Sequence, residues 1–400
     1  MAAKLQPLKR TKKDLIATGV ITALAVIGVG TVWATAPIRG SELTPADEPF
    51  IASTTLDAIP ETLSEHWRAT DTSTNHKPLI TGGVISTADG NTIKTYTPDG
   101  ALLWSYERDK ELCSLSVGFD AAVATYKTGI GCGDVTAINA NDGQYKATRS
   151  AISSDHVAPI SSNDRIGVLG TERLELWRSD LVRTIEYGDV EAPQESGQQP
   201  HPECSITSAM TRKDLLAITE DCPDGSSYLR FMGTTPDDSR TPEITQDIEI
   251  TDGRIVSIGQ SAAAVYTNDP SPRIVSYNDD GELVGEQTVD EVEFPDPPFQ
   301  SATADLPHHM SWFNGDSLVL FSPTQINVRQ SFDDALGTGI ALNGSLLYPT
   351  AEGITVANWD TGEVQRTIPV DRAGYDGEVA LGVVGQVIVE KRGSELVALG

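Results

Sequence analysis

Basic residues are scarce in this chain: 29 Lys and Arg stand against 57 Asp and Glu, a formal charge of −28. Non-specific nucleic-acid binding needs a basic surface, so that class of partner is excluded. The acidity itself reads as a solvated surface that keeps the protein in solution. Aromatics make up only 6% of residues, so the core must be built largely from Val, Ile, Leu and Ala. There is no phosphate-binding G-x-x-x-x-G-K-[ST] loop, no G-x-S-x-G elbow, no H-E-x-x-H and no EF-hand loop. Beyond residue 36 no apolar run is long enough to cross a bilayer.

Before that point there is one. Residues 15–36, LIATGVITALAVIGVGTVWATA, carry no charge. At about 1.5 Å per residue they span the ~30 Å of a hydrocarbon core. The preceding tail, 1–14, holds Lys4, Lys9, Arg10, Lys12 and Lys13, whereas Arg39 alone follows closely. That asymmetry orients the amino terminus to the cytoplasm and the remainder outside. A cleaved signal peptide is the rival, with Ala34-Thr35-Ala36 as its cleavage pattern. The apolar run exceeds the usual core, however, and Pro37 would follow the scissile bond directly. The expectation is an uncleaved signal-anchor in the cell membrane. Residues 37–62 are polar and Pro-containing without periodicity, which predicts a flexible stalk.

From residue 63 to the end the chain repeats one cadence. Its clearest copy, 78–106, reads PLITGGVISTADGNTIKTYTPDGALLWSY: strand, Asp-Gly turn, strand, Asp-Gly turn, strand. Further copies cover 118–150, 157–187, a degenerate one from Cys204, 254–289, 308–332, 339–370 and 377–400. The last copy stops one strand short, and 63–69, LSEHWRA, precedes the first copy as its donor. Eight units average about 42 residues, the length of a four-stranded propeller blade. The fold class is therefore all-β: an eight-bladed β-propeller, or seven-bladed if the fourth or sixth copy is not a unit. Dense apolar runs at 121–125 and 262–265 suit strands covered on both faces. Trp67, Trp104, Trp177, Trp312 and Trp359 come mostly at similar phases of the repeat and read first as blade packing, second as a ligand platform.

Candidate chemistry is thin. Cys113, Cys132, Cys204 and Cys222 form two closely spaced pairs, each bracketing one apolar strand. No C-x-x-C occurs, so disulfides are favoured over zinc, with adjacent pairing stapling one blade. Each such bond contributes about 3 kcal/mol by chain entropy. His308-His309 follow a Pro-rich stretch without an evident partner and read as a loop or interface. Asn278-Asp279-Asp280-Gly281 lacks a calcium ligand ladder and reads as a turn. Glu291, Glu293 and Asp296 form an acid-rich connection. No catalytic, cofactor or metal residue is assigned. An enzyme would need carboxylates or a metal converging in the axial funnel, while an apolar or plainly acidic funnel would favour a scaffold. Copies four and six depart most from the cadence, and a local function is to be sought there.

The cadence GGVISTADGNTIKTYTPDGALLWSY resembles the PQQ-type propeller repeat of quinoprotein dehydrogenases and outer-membrane assembly lipoproteins. WSYERDKELC, GCGDVTAINANDG, LELWRSDLVRTIEYG, SPRIV and EKRGSELVALG resemble a narrower group, actinobacterial single-pass membrane proteins with an exterior PQQ-like propeller. The quinoproteins use adjacent cysteines, a tryptophan floor and calcium, and this chain has no adjacent cysteines. The resemblance therefore implies the fold and not the cofactor. It implies a non-catalytic scaffold in cell-envelope assembly, with an envelope protein, glycan or lipid as partner. A quinoprotein-like oxidoreductase or other envelope enzyme, with its site in blade-edge loops, is the alternative.

Overall fold

The computed structural model describes residues 10–190 and 193–400; Lys4 and Lys9 of the expected basic tail lie outside the described residues. Helix α1, Lys12–Thr35, opens on a reciprocal cap. The Thr11 hydroxyl accepts from the Asp14 N–H, and the Asp14 carboxylate accepts from the Thr11 N–H. Its 24 residues make a rod of about 36 Å. None of its side chains is buried against the rest of the chain. It is the one helix among the described residues long and apolar enough to cross a membrane.

The rest is almost entirely β: eight sheets, each an antiparallel meander, spanning 79–108, 112–150, 158–188, 205–250, 254–288, 303–332, 340–369 and 379–399. We number these blades 1 to 8. The first strand of each lies innermost, and the innermost strands neighbour one another around the axis. Blade 8 has three strands of its own, and Glu65–Thr70 supplies the outermost fourth. Trp67 pairs with Ala398 and Thr70 with Glu395, while Ser64 and Gly400 exchange backbone hydrogen bonds at 3.0 Å. The expected donor strand thus closes the ring, and the count is eight. Closure removes the exposed edge that a final three-stranded blade would present.

Apolar layers fill the wedges between blades. Between blades 1 and 2, Ile93, Trp104 and Tyr106 meet Leu115, Ala124, Tyr126 and Ile138. The Trp104 indole N–H donates to the Ala140 carbonyl at 2.7 Å, so the tryptophan bridges the blades as well as filling space. Gly143, at φ +70°, ends the Asn141-Asp142-Gly143 turn. A Cβ there would lie 2.8 Å from Trp104, so turn and tryptophan demand glycine together. The tryptophans do not share one phase. Trp67 and Trp104 sit on fourth strands, Trp177 on a third strand, Trp312 on a second, and Trp359 in a turn.

The segment expected to be a flexible stalk is instead laid against the ring. Ser41–Thr44 pairs antiparallel with Leu102–Arg108 as a fifth strand on blade 1, Leu43 opposite Tyr106. Phe50 N–H donates to the Asn141 carbonyl and Leu56 N–H to the Gly385 carbonyl, both at 2.8 Å. Leu56, Ile59 and Leu63 pack on the core shared by blades 7 and 8. A few spaced apolar residues suffice because blade 1 has a free outer edge to pair with. Only residues 36–40 separate the helix from this strand.

Candidate functional site

The first strands of all blades run the same way along the axis, so their starts and ends mark opposite mouths of the central channel. At the starting mouth two connections meet. Asn75 donates to the Leu115 carbonyl at 2.9 Å, and His76 Nε2 lies 2.5 Å from the Gln300 carbonyl oxygen. His76 Nδ1 also faces Glu378 at 3.4 Å. Asn75 and Gln300 floor a cavity of about 290 Å³ that is lined toward the other mouth by Ser161–Asp164, Arg212, Lys213 and Asp305. Arg212 pairs with Asp305 at 2.9 Å, tying blade 4 to blade 6.

Lys77 stands in this funnel. Surrounding protein strips water from its ammonium and lowers its pKa, opposed by the Asp305 carboxylate. The side chain is reached by channel water even so, which limits that desolvation. The lining is therefore mixed in charge, neither apolar nor plainly acidic.

The cysteines form two disulfides, Cys113–Cys132 and Cys204–Cys222. The first brackets the second strand of blade 2 as expected, whereas the second encloses both the first and second strands of blade 4 and staples their paired ends, Ser205 lying opposite Asp221. The two clusters of potential metal ligands among the described residues both contain Cys204, with His201 and Glu203 or with Glu220 and Cys222. Disulfide sulfurs are not thiolate donors. Glu220 is moreover taken up by Arg230 and by the Tyr187 hydroxyl at 2.8 Å. Neither cluster fits a metal.

Asn278–Gly281 is a hairpin turn, with Gly281 N–H donating to the Asn278 carbonyl at 3.0 Å. Glu291 and Glu293 line a cleft of about 340 Å³ with Asp252, Tyr266 and Asn268. Tyr266 hydroxyl accepts from the Val292 N–H at 2.8 Å, so this acid-rich connection is docked on blade 5.

His308-His309 form the tight turn between the first two strands of blade 6, Leu306 N–H donating to the His309 carbonyl at 2.9 Å. Blade 6 begins at Thr303, five residues before the copy visible in the sequence. The structure sets both histidines against Trp359 of blade 7, with ring centroids 5.3 and 6.0 Å apart. With Arg329, Gln330 and Asp360 they line an open cleft of about 640 Å³. Sequence reasoning had no route to this meeting, since the turns belong to different blades about 50 residues apart.

Residues 17–169 match the profile of a family described as outer membrane protein assembly factor BamB. No curated protein sequence matches the chain. Among solved structures, BamB from Moraxella catarrhalis is similar at 11% identity and a TM-score of 0.52. The alignment covers 84% of this chain and 99% of that one. Sqt1 from Saccharomyces cerevisiae aligns at 10% identity and a TM-score of 0.49, over 86% of this chain and 99% of that one. The chain is an eight-bladed β-propeller with PQQ-like repeats, similar over residues 17–169 to the BamB assembly-factor family.

Proposed function

We propose that the protein is a membrane-anchored extracytoplasmic propeller acting as a non-catalytic binding scaffold in cell-envelope assembly or maintenance. The observation that carries this reading is the attachment. A helix of membrane-spanning length leads, across residues 36–40, into a strand of blade 1. The ring is therefore presented close to the bilayer surface by a short, hydrogen-bonded connection. Basic residues ahead of the helix support a cytoplasmic amino terminus. Similarity to a family described as an assembly factor supports the scaffold role. The narrower likeness to actinobacterial single-pass proteins rests on the short sequence marks quoted above. The test is crosslinking in cells with the full chain, against a control carrying residues 1–40 alone. Enrichment of envelope components over that control is expected; equal recovery from both would remove the scaffold reading.

A second reading, a quinoprotein-like oxidoreductase, is favoured by one observation, the cationic Lys77 and Arg212 inside the funnel. Adding PQQ and calcium to the purified full chain and following absorbance separates the two. Saturable binding promotes the enzyme, and its absence leaves the scaffold.

A further inference from the structure

Arginines in the ring are generally matched. Among the described residues from Arg68 onward, every arginine except Arg329 has a carboxylate within ion-pair distance. Arg329 lies on the outermost strand of blade 6, Val328–Phe332, and lines the cleft shared with blade 7. Three other groups there are equally without partners. The Trp359 indole N–H has no acceptor among the described residues. His308 makes only its ring contact to Trp359. His309 is 6% exposed, and its buried Nδ1 has no hydrogen-bond partner. Leaving a buried polar nitrogen unpaired is costly, and such atoms are rare without a ligand, ion or water to meet them.

The cleft is shaped independently of these groups. Asn358 Oδ1 accepts from the Asp360 and Thr361 N–H groups, both at 2.9 Å, fixing the blade 7 turn. Gln330 Nε2 donates to the Asp360 carbonyl at 3.1 Å, locking that turn to blade 6. The wall is thus held rigid while its cationic and donor groups stay free.

We propose that this cleft binds an oxyanion, a phosphate or carboxylate group of a small molecule, with Arg329 as its main ion-pair donor and the His308–His309 pair completing the shell. A guanidinium presents a planar fork matched to either oxyanion. A metal is the weaker occupant, because the clusters of potential ligands among the described residues lie elsewhere, at Cys204. An extended acidic chain is disfavoured by the net charge of −28, whereas a small anion meets only the local field. Burial lowers the His309 pKa, His308 and Arg329 lower it further, and the Asp360 carboxylate opposes them. His309 is therefore neutral in the empty cleft at pH 7. An arriving anion favours its protonated form, so binding takes up a proton and tightens as pH falls.

The test is titration calorimetry of the full chain in detergent with inorganic phosphate in one arm and glucuronate in the other. Saturable binding below about 10 mM is expected in at least one arm. Binding in one arm alone identifies the oxyanion. Arg329→Gln should weaken it about tenfold or more, and Arg329→Lys should recover part of the loss. For glucuronate, which does not titrate in this range, affinity should rise between pH 7.5 and 5.5, by at most about tenfold per unit. Urea midpoints of the variants serve as the folding control, since Arg329 makes no ion pair or side-chain hydrogen bond among the described residues. No saturable binding of either probe, or unchanged affinity in Arg329→Gln, overturns the proposal. Neither result bears on the crosslinking that tests the scaffold.

Discussion

Two parts of the ring treat charge in opposite ways. In blade 8 the charges are buried and matched. Lys391 Nζ lies 2.7 Å from the Asp71 carboxylate, and that aspartate, fully buried, also accepts from Ala88 N–H at 3.1 Å. Asp71 directly follows the closing strand, so one carboxylate joins the closing strand, blade 8 and blade 1. Beside it Glu390 receives Arg372 at 2.8 Å and Arg392 at 2.7 Å. In the cleft between blades 6 and 7 the charges lie at the surface and are unmatched. Matched buried charge ties the closing strand to its neighbours, and removing one partner strands the other in the interior at high cost. Unmatched charge in a fixed cleft contributes nothing to folding and is free to meet something else.

The largest effect follows from breaking the matched set. Lys391→Met leaves Asp71 buried without its counter-charge and should cost about 3–5 kcal/mol. The urea midpoint should fall accordingly, and amide exchange should rise first in Glu65–Thr70, the strand this contact secures. A loss under about 1 kcal/mol would mean that backbone pairing alone closes the ring.

Blade 3 offers a second matched set and a pH signature. Burial by itself would raise the Glu175 carboxyl, but Arg149 at 2.7 Å, Arg173 at 2.6 Å and the Trp177 indole N–H at 2.9 Å hold it below the usual carboxylate range. Its folded pKa is thus below its unfolded one. The stability it gives is present above about pH 4.3 and is lost as pH falls through the folded value. Glu175→Gln should therefore cost about 1–3 kcal/mol at pH 7. In urea titrations the gap to the parent should narrow steadily below pH 4.3. A gap that stays constant with pH would show that Glu175 packs rather than pairs.

These buried charges mark where the sequence stops being readable. The ring itself was legible, because the last copy visibly lacked a strand and LSEHWRA supplied a fitting one. The cysteine pairing was legible from spacing, although only Cys113–Cys132 brackets a single strand and Cys204–Cys222 encloses two. By contrast, Glu390-Lys391-Arg392 looks like a solvated strand end, yet all three are buried. Their burial depends on Arg372 and Asp71, which nothing local announces. Leu112–Gly118, the innermost strand of blade 2, went unread because serines interrupt its apolar pattern. Ser41–Thr44 went unread because it has one apolar residue, and its partner strand lies some 60 residues away. Blade counting locates turns along the chain but does not say which turns of neighbouring blades touch. That is why His308, His309 and Trp359 were three separate observations until the fold joined them.

An intermediate case sharpens the contrast. Arg212 and Asp305 are matched like the blade 8 pairs, but the aspartate is 40% exposed at the funnel wall. Water screens such a pair, so Asp305→Asn should cost only about 0.2–1 kcal/mol. It should instead be felt by Lys77, whose pKa Asp305 supports. Removing that carboxylate lowers the Lys77 pKa further and leaves more of the free amine at a given pH. Labelling of Lys77 by an amine-reactive reagent, read by peptide mapping at pH 8, should then rise in the variant. Unchanged labelling would place the two groups out of electrostatic reach.

The smallest effect belongs to the unmatched set, and its smallness is the point. Arg329→Gln removes a side chain with no ion pair and should shift stability by less than about 0.5 kcal/mol. A structural arginine in this ring behaves otherwise: Arg230, 1% exposed and paired with Glu220 and Asp247, cannot be replaced without stranding Glu220. The pair of variants Arg329→Gln and Arg230→Gln therefore separates the two uses of charge in one denaturation experiment. If Arg329→Gln destabilised the ring as Arg230→Gln does, the cleft would be part of the frame and its free groups would need another explanation. If stability is untouched while anion affinity falls, the charge is there for a ligand, because folding has no use for it.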